Sequence, residues 1–193
     1  MKNILACSDE FDDNTLGPQW QWNYQPRTDM FSLTERPGWL RLKAFRPLEK
    51  DNLMKAGNTL TQRSFRSLTN EVTVSIYIGN MTDGQHAGLC HFSPEGSAIG
   101  IVCEDGSKRL EFRKKDKSQP GIVLTADHIW LRSTWSLDAV ATYAYSTDGN
   151  TFTPFGTAPL AWGHYRGDRI GIYNYNDKSE SGAIDVDFFH YDM

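Results

Sequence analysis

Residues 31–44 show the clearest alternation of hydrophobic and polar positions in the chain. Leu40 and Leu42 share one side of an extended strand, and the basic residues between and after them share the other. The turn Arg36-Pro37-Gly38 precedes this strand, with a proline that fixes φ and a glycine that tolerates positive φ. The pattern predicts a β-hairpin with one face toward a core and the other toward water. Because a lone hairpin is unstable in water, the rest of the chain must supply further strands.

The same alternation recurs along the rest of the chain. Glu71–Ile78 is its most regular example, with valine or isoleucine at every second position. The turn-forming dipeptides Asp83-Gly84, Asp105-Gly106 and Asp148-Gly149 separate such stretches. Strand-like stretches follow one another every ~8–12 residues, without the period of an amphipathic helix. The sequence therefore predicts an all-β, two-sheet antiparallel β-sandwich of about a dozen strands.

The length of the chain fits one domain. Its 193 residues are enough to bury a sizeable core without a second domain. We assign residues 8–193 to a single β-sandwich domain and residues 1–7 to a linker or an expression remnant. Met1–Ala6 is too short for the apolar part of a signal peptide, and no apolar run reaches the ~18 residues of a membrane span. We therefore expect a soluble protein, either cytoplasmic or secreted as part of a larger enzyme.

Charge and cysteine content exclude several classes of partner. The net charge of −4, with both signs interspersed, predicts no nucleic-acid and no membrane partner. Three cysteines do not make a disulfide framework, and no metal-binding spacing of Cys and His is present. Cys90 and Cys103 are either buried free thiols, which is the preferred interpretation, or a disulfide pair.

The aromatic content is the first indication of function. Six Trp and eight Tyr are more than a core of this size needs. Trp20 and Trp22 fall on one face of an extended stretch, as either a core row or a platform for sugar rings. Stretches around Arg63, Ala87 and Tyr173 place polar or aromatic groups opposite apolar neighbours, so they could line a concave sheet together. The candidate carbohydrate-binding residues are Trp22, Asn23, Arg63, His86, Tyr173 and Tyr175.

Catalytic motifs are missing from the sequence. A glycosidase needs two carboxylates held across the scissile bond. The sandwich glucanases carry Glu-x-Asp-x-x-Glu on a central strand, whereas Glu-x-Asp occurs here only at Glu10 and Glu49, without the trailing Glu. The patterns GxSxG, GxxxxGK and HExxH are also absent. We therefore predict that this chain alone hydrolyses nothing.

Acidic residues near both ends of the chain suggest a metal site. If the first and last strands pair, Glu10 and Asp12 would approach Asp187, and a cation would relieve the repulsion among the carboxylates. Carboxylates and turn carbonyls suit Ca²⁺. The three residues are therefore candidate ligands of a structural calcium ion, and solvated surface acids are the alternative interpretation.

Several motifs, in order and spacing, resemble a known module. They are Ser8–Asp12, Leu16–Asn23, Ser32–Leu42, Asn58–Arg63, Ala87–Leu89, Tyr145–Gly149, Arg166-Gly167, Gly171–Tyr175 and Asp185–Phe189. With these motifs, over about residues 8–191, the chain resembles the C-terminal concanavalin A-like β-sandwich of family 43 glycoside hydrolases, the β-xylosidases and arabinofuranosidases. The resemblance implies a jelly-roll sandwich. In that family the catalytic carboxylates lie on a separate five-bladed propeller that precedes this module.

The resemblance implies a function for the chain. We expect a non-catalytic carbohydrate-binding or accessory module for xylan-type polysaccharide, such as xylo-oligosaccharide or arabinoxylan. Its partners would be plant cell-wall polysaccharide and a catalytic domain in the parent chain. The alternative is a structural module that docks on the propeller and shapes its active site, because docking interfaces also favour Tyr, Trp and Arg. An independently active glycosidase is the least favoured interpretation.

Overall fold

The computed structural model describes residues 7–115, 117–163, 165 and 167–193. The expected linker residues Met1–Ala6 and the motif residue Arg166 lie outside the described residues. Among the described residues, regular helical structure is limited to one 3₁₀ turn, Leu53–Lys55. No helix among them is long and apolar enough to cross a membrane.

The strands of the described chain form two seven-stranded antiparallel sheets, which confirms the predicted β-sandwich. Sheet I has the order β1 (Gln21–Trp22), β4 (Thr59–Arg63), β13 (Arg169–Asn176), β6 (Gln85–Phe92), β7 (Ser97–Glu104), β8 (Ser107–Lys114) and β9 (Lys117–Leu124). Sheet II has the order β12 (Thr153–Pro159), β11 (Val140–Ser146), β10 (His128–Trp135), β5 (Asn70–Tyr77), β14 (Ala183–Asp192), β3 (Leu40–Lys43) and β2 (Phe31–Ser32).

The predicted hairpin is present at the edge of sheet II. β2 pairs with β3 so that Phe31 lies opposite Leu42, and Gly38 in the turn has a φ of +77°, which a glycine adopts without strain. Leu40 and Leu42 have no exposed surface, as the alternation predicted. They pack in the core between the sheets, which contains Leu60, Leu89, Ile99, Ile172, Val74, Ile76 and Val186.

The two ends of the sandwich chain meet, as expected for its first and last strands. Asp9 and Phe189 exchange two backbone hydrogen bonds of 2.8 Å each. Cys7, which we assigned to the linker, is instead buried, and its carbonyl accepts a 2.8 Å hydrogen bond from the Gln62 side chain. Cys90 and Cys103 are buried free thiols, so the preferred interpretation is confirmed over a Cys90–Cys103 bridge.

The loop between β3 and β4 is the feature that matters most for function. Residues 45–58, which we name the covering loop, fold back over the outer face of sheet I. Ala56, Leu53 and Met54 of this loop pack there in a second, smaller apolar cluster. The remaining members of the cluster come from three strands of sheet I: Cys90, Phe92, Ala98, Tyr173 and Tyr175. The loop therefore covers the outer face of sheet I at β13, β6 and β7.

A buried carboxylate ties the hairpin to β14. The Asp185 side chain is only 1% exposed, and it accepts hydrogen bonds of 2.7 and 3.0 Å from Arg41 and one of 2.9 Å from Arg36. Burial would raise the pKa of Asp185, but the hydrogen bonds from Arg41 and Arg36 outweigh it and hold the pKa below its usual range. The ionised form is therefore favoured in the folded state.

We predict that Asp185→Asn lowers the free energy of unfolding by about 3 kcal/mol at pH 7. This is the low end for breaking a buried ion pair, because both arginines are partly exposed. A depressed folded-state pKa contributes stability that is complete above the unfolded value, about 3.9, and is lost as the pH falls through the folded value. The difference between wild type and variant in urea unfolding should therefore shrink below about pH 4.

Glu35→Gln is the matched control for this prediction. Glu35 also contacts Arg41, at 3.3 Å, but its side chain is 42% exposed, so its loss should change the free energy by less than about 1 kcal/mol. Equal effects of the two substitutions would contradict the assignment of Asp185 as a buried anchor.

Candidate functional site

The outer face of sheet I brings three of the predicted stretches together. In the register of the sheet, Arg63 lies opposite Arg169, Tyr173 opposite Gly88, and Tyr175 opposite His86. Because directly paired residues project to the same face, the side chains of Arg63, Tyr173, Tyr175 and His86 all point away from the main core. The geometry therefore agrees with the expectation that these strands line one face.

The accessibility of this face differs from the prediction. Tyr173 and Tyr175 have no exposed surface, because the covering loop packs over them. The Tyr175 hydroxyl contacts the Arg113 guanidinium and lies 3.3 Å from the carboxylate of Asp51, which belongs to the loop. Burial raises the pKa of Tyr175 far above its usual range, and the Arg113 charge opposes this only in part. Neither tyrosine can stack on a sugar in this arrangement.

The ring of Tyr173 fills space on the outer face that is open only because the neighbouring strand β7 has a glycine there. A Cβ at Gly100 of β7 would lie 2.1 Å from the Tyr173 hydroxyl, so the ring fits only because position 100 has no side chain. The hydroxyl is buried without a hydrogen-bond partner among the described residues. Such packing is typical of a core residue, which a search for alternating aromatic residues alone does not distinguish from a surface one.

Trp22 was assigned to the wrong face. It lies opposite Leu60, a residue of the main core, and its ring packs 4.8 Å from the ring of Phe31. Trp22 therefore fills the edge of the sandwich between the two sheets. The side-chain amide of Asn23 donates hydrogen bonds of 3.0 and 2.8 Å to the carbonyls of Met54 and Ala56. Asn23 thus fixes the covering loop, and only its carbonyl oxygen is left for another partner.

The two remaining candidates lie on opposite sides of the covering loop. Arg63 is exposed at the end of β4. His86 is mostly buried on β6, where its ring stacks on Tyr175 and its Nδ1 atom lies 2.9 Å from the Glu111 carboxylate. The six predicted carbohydrate-binding residues therefore do not form one continuous surface.

The outer face keeps an open cleft beside the covering loop. The cleft has a volume of about 310 Å³, and its lining includes Gln21, Thr61, Phe92, Tyr165 and Arg169 together with Asn23 and the exposed edge of Trp22. Arg169 lies flat along the strand, with its Nε donating a 2.8 Å hydrogen bond to the Thr61 hydroxyl. Tyr165 is fully exposed. Apolar rings and a few polar groups in a cleft of this size are typical of a site for a small ligand.

Sequence reasoning missed most residues of this cleft. Arg169 has the same parity as Tyr173 on β13, so the strand pattern could have identified it. Gln21 has the parity of the outer face once Trp22 is assigned to the core. Tyr165 lies between strands, where alternation gives no signal.

The proposed calcium ligands do not converge. Glu10 and Asp12 are exposed, and Glu10 pairs with His190 at 2.6 Å, while Asp187 is half-buried on β14. Among the described residues, Asp51, His86 and Asp177 form a group of three His, Cys, Asp or Glu side chains whose ligating atoms all lie within 4.8 Å of one another. Glu10, Asp12 and Asp187 therefore do not form a preassembled site, and calcium binding by them stays a prediction.

A buried Ser–His–Asp arrangement also escaped the sequence analysis. His91 contacts Asp168 through Nδ1, and its Nε2 lies 3.0 Å from the Ser133 hydroxyl. These are the contacts of a nucleophile, a base and an orienting acid. All three residues are at most 3% exposed and lie between the sheets, so no substrate reaches them. The arrangement pairs His91, Ser133 and one oxygen of Asp168 within the core, while Oδ1 of Asp168 has no hydrogen-bond partner among the described residues.

These features define a class of protein: a concanavalin A-like β-sandwich with a loop-covered outer sheet and a cleft beside the loop. The family model of the beta xylosidase C-terminal concanavalin A-like domain matches residues 8–192, and the chain belongs to this family.

Comparisons with individual proteins agree with this family. The chain is 35% identical to a beta-xylosidase of Formosa agariphila, over 95% of this chain and 34% of the relative, and 31% identical to a putative beta-xylosidase of Xylanibacter ruminicola, over 86% and 30%. It thus spans about a third of the length of these curated relatives. Among solved structures, a bifunctional GH43-CE protein of Bacteroides eggerthii superposes with a TM-score of 0.86 at 26% identity, over 96% of this chain and 25% of that chain.

We predict that Tyr175→Ala lowers the free energy of unfolding by about 3–5 kcal/mol, because it removes a buried aromatic ring beneath the covering loop. Tyr24→Ala is the control, because Tyr24 is 39% exposed and its loss should change the free energy by less than about 1 kcal/mol. Chemical unfolding of both variants measures the difference. A Tyr175→Ala protein as stable as the wild type would mean that the loop does not bury this ring in solution.

Proposed function

We propose that this chain is a non-catalytic accessory module of a GH43-type β-xylosidase or arabinofuranosidase and that it binds xylan-type chains in the cleft beside the covering loop. The family supports the accessory role, since this domain is the C-terminal part of such enzymes. The relatives' names point to xylose-containing substrates. A catalytic domain in the parent chain is the expected partner, because the chain spans only about a third of its relatives.

The cleft at Arg169 is the observation that carries the proposal. Its volume of about 310 Å³ lies at the lower end for ligand sites, which suits one or two sugar rings. The exposed ring of Tyr165 offers a face for stacking, and the side-chain amide of Gln21 offers a planar hydrogen-bonding group for hydroxyls.

The same lining supports binding without hydrolysis. No Asp or Glu is among the described residues that line this cleft. Since glycoside hydrolysis canonically needs two carboxylates on either side of the bond, a sugar held here would meet neither an acid nor a nucleophile of that kind. We therefore expect no release of product from aryl xylosides, aryl arabinosides or xylan by the purified chain.

Docking on the catalytic domain is the second candidate function. A groove of about 470 Å³ at one end of sheet II is lined in part by the exposed apolar residues Leu68, Val140 and Met193. Exposed apolar groups around a groove are typical of a surface that another protein covers. In this alternative the module shapes the neighbouring active site and has no sugar affinity of its own.

Calorimetric titration of the purified chain with xylohexaose tests the proposal. We expect saturable binding that Tyr165→Ala weakens about 5- to 10-fold, through the loss of one stacking face. The exposed control Tyr24→Ala should bind as the wild type does, because Tyr24 does not line the cleft.

Two outcomes would contradict the proposal. Absence of binding by the wild type would leave docking as the function, which gel filtration with the separately expressed propeller of a GH43 relative then tests. Binding that Tyr165→Ala and Gln21→Ala both leave unchanged would locate the sugar outside this cleft.

A further inference from the structure

A second cleft lies on the other side of the covering loop. It has a volume of about 240 Å³, and Asp51, His86, Glu111 and Arg113 are among its lining residues. Asp51, His86 and Asp177 each offer one ligating atom, and all three atoms lie within 4.8 Å of one another. They come from the covering loop, from β6 and from the turn after β13, so this convergence is a product of the tertiary fold. It does not depend on the sugar-binding proposal.

His86 is oriented as a metal-ligating histidine usually is. Its Nδ1 atom lies 2.9 Å from Oε1 of Glu111, whose side chain is 6% exposed, and the Ser118 hydroxyl donates a 3.0 Å hydrogen bond to the other oxygen. A carboxylate that accepts the Nδ1 proton fixes the tautomer and leaves the Nε2 lone pair available, as in carboxylate–histidine–zinc arrangements. The stacked ring of Tyr175, 4.9 Å away, holds the imidazole plane.

Nε2 of His86 faces Asp177 at a distance that suits a shared metal ion. The separation from Oδ2 is 3.6 Å, which is too long for a good hydrogen bond. Two ligands of a tetrahedral ion with bonds of 2.0–2.1 Å lie about 3.3–3.5 Å apart. The Asp177 side chain is 8% exposed, and its Oδ1 accepts a 2.8 Å hydrogen bond from the backbone of Asp51. Oδ2 accepts no hydrogen bond from the described residues and faces Nε2 of His86.

The local charge favours a divalent cation. Asp51, Asp177 and Glu111 contribute three negative charges, and Arg113 contributes one positive charge, at 2.6 Å from Oδ1 of Asp51. With a neutral His86 the group carries −2. Arg113 occupies one oxygen of Asp51, and the carboxylate has a second oxygen to offer a metal.

We propose that Asp51, His86 and Asp177 bind a divalent first-row transition-metal ion of the Zn²⁺ class, with Glu111 as the positioning residue for His86. One imidazole and two carboxylates suit Zn²⁺, whereas Ca²⁺ and Mg²⁺ prefer all-oxygen shells. The ion would link the covering loop to two strands of sheet I. Its role would be structural, because it fixes the loop that closes the outer face.

Thermal unfolding of the purified, untagged, metal-free chain with added ZnCl₂ tests the proposal. A ligand that binds only the folded state raises its stability by mass action, so we expect the melting temperature to rise by about 5–10 °C at a Zn²⁺ concentration a hundredfold above Kd. Titration calorimetry should give one Zn²⁺ per chain. Equal concentrations of CaCl₂ or MgCl₂ should leave the melting temperature unchanged.

Variants locate the ion. His86→Gln and the nearly isosteric Asp177→Asn should each abolish the Zn²⁺-dependent shift, while far-UV circular dichroism verifies that they fold. Glu111→Gln should weaken Zn²⁺ binding about 10- to 100-fold, as substitutions of residues that orient a ligand do. Glu104→Gln is the matched control, since Glu104 lines the same cleft but is not one of the converging residues.

The absence of one-to-one Zn²⁺ binding by the wild type would overturn the proposal. Binding that persists in both His86→Gln and Asp177→Asn would also overturn it, because the ion would then lie elsewhere. A Ca²⁺ response equal to that of Zn²⁺ would contradict the assigned class of metal.

Discussion

Burial of the central strands of sheet I on both of their faces is the constraint on which the rest of this structure depends. The inner face packs on sheet II, and the outer face packs on the covering loop, so β13 is buried along nearly its whole length. An antiparallel sheet commonly leaves one face to water, and its strands then alternate between apolar and polar residues. Here Tyr173 and Tyr175 place aromatic rings on the outer face, which would otherwise be exposed to water. Leu53, Met54 and Ala56 of the covering loop pack against these rings. The position of the loop thus decides which parts of the outer face a ligand can reach.

This constraint explains which parts of the fold and the site could be predicted from the sequence. Local rules sufficed for the hairpin at Gly38, for the alternation in β5 and for the turns, because turn chemistry and parity act between near neighbours. They also gave the correct face for Tyr173 and His86. They did not predict how accessible this outer face is to solvent. Whether a loop of mixed composition packs on a sheet depends on contacts between residues far apart in the chain. The face predicted for Trp22 was wrong for a related reason. Its face is set by pairing with Leu60 on β4, and a two-residue strand carries no pattern from which that register could be inferred.

The polar groups around His91 and His86 also depend on contacts between residues far apart in the chain. His91 meets residues 42 and 77 positions away in the sequence, and His86 meets Glu111 25 positions away, so no motif spacing reveals either group. The two groups differ in where they are buried. The His91 group lies between the sheets, where its hydrogen bonds satisfy polar atoms in the core. The His86 group lies under the rim of the covering loop, where Nε2 of His86 and Oδ2 of Asp177 face each other beyond hydrogen-bond distance. Similar residue types therefore serve packing in one place and leave coordination capacity in the other.

The covering loop links the two clefts physically. Asn23 at the rim of one cleft donates to the carbonyls of Met54 and Ala56, and Asp51 at the rim of the other bonds to Arg113 and Asp177. The loop is thus held at both ends by polar contacts and in the middle by apolar packing on Tyr173 and Tyr175. Met54 of the loop lines the cleft at Arg169 and Asp51 lines the second cleft, so a displacement of the loop would change the lining of both. The accessibility of this face is therefore a property of the loop and the sheet together, and Tyr173 and Tyr175 contribute to it by packing against the loop.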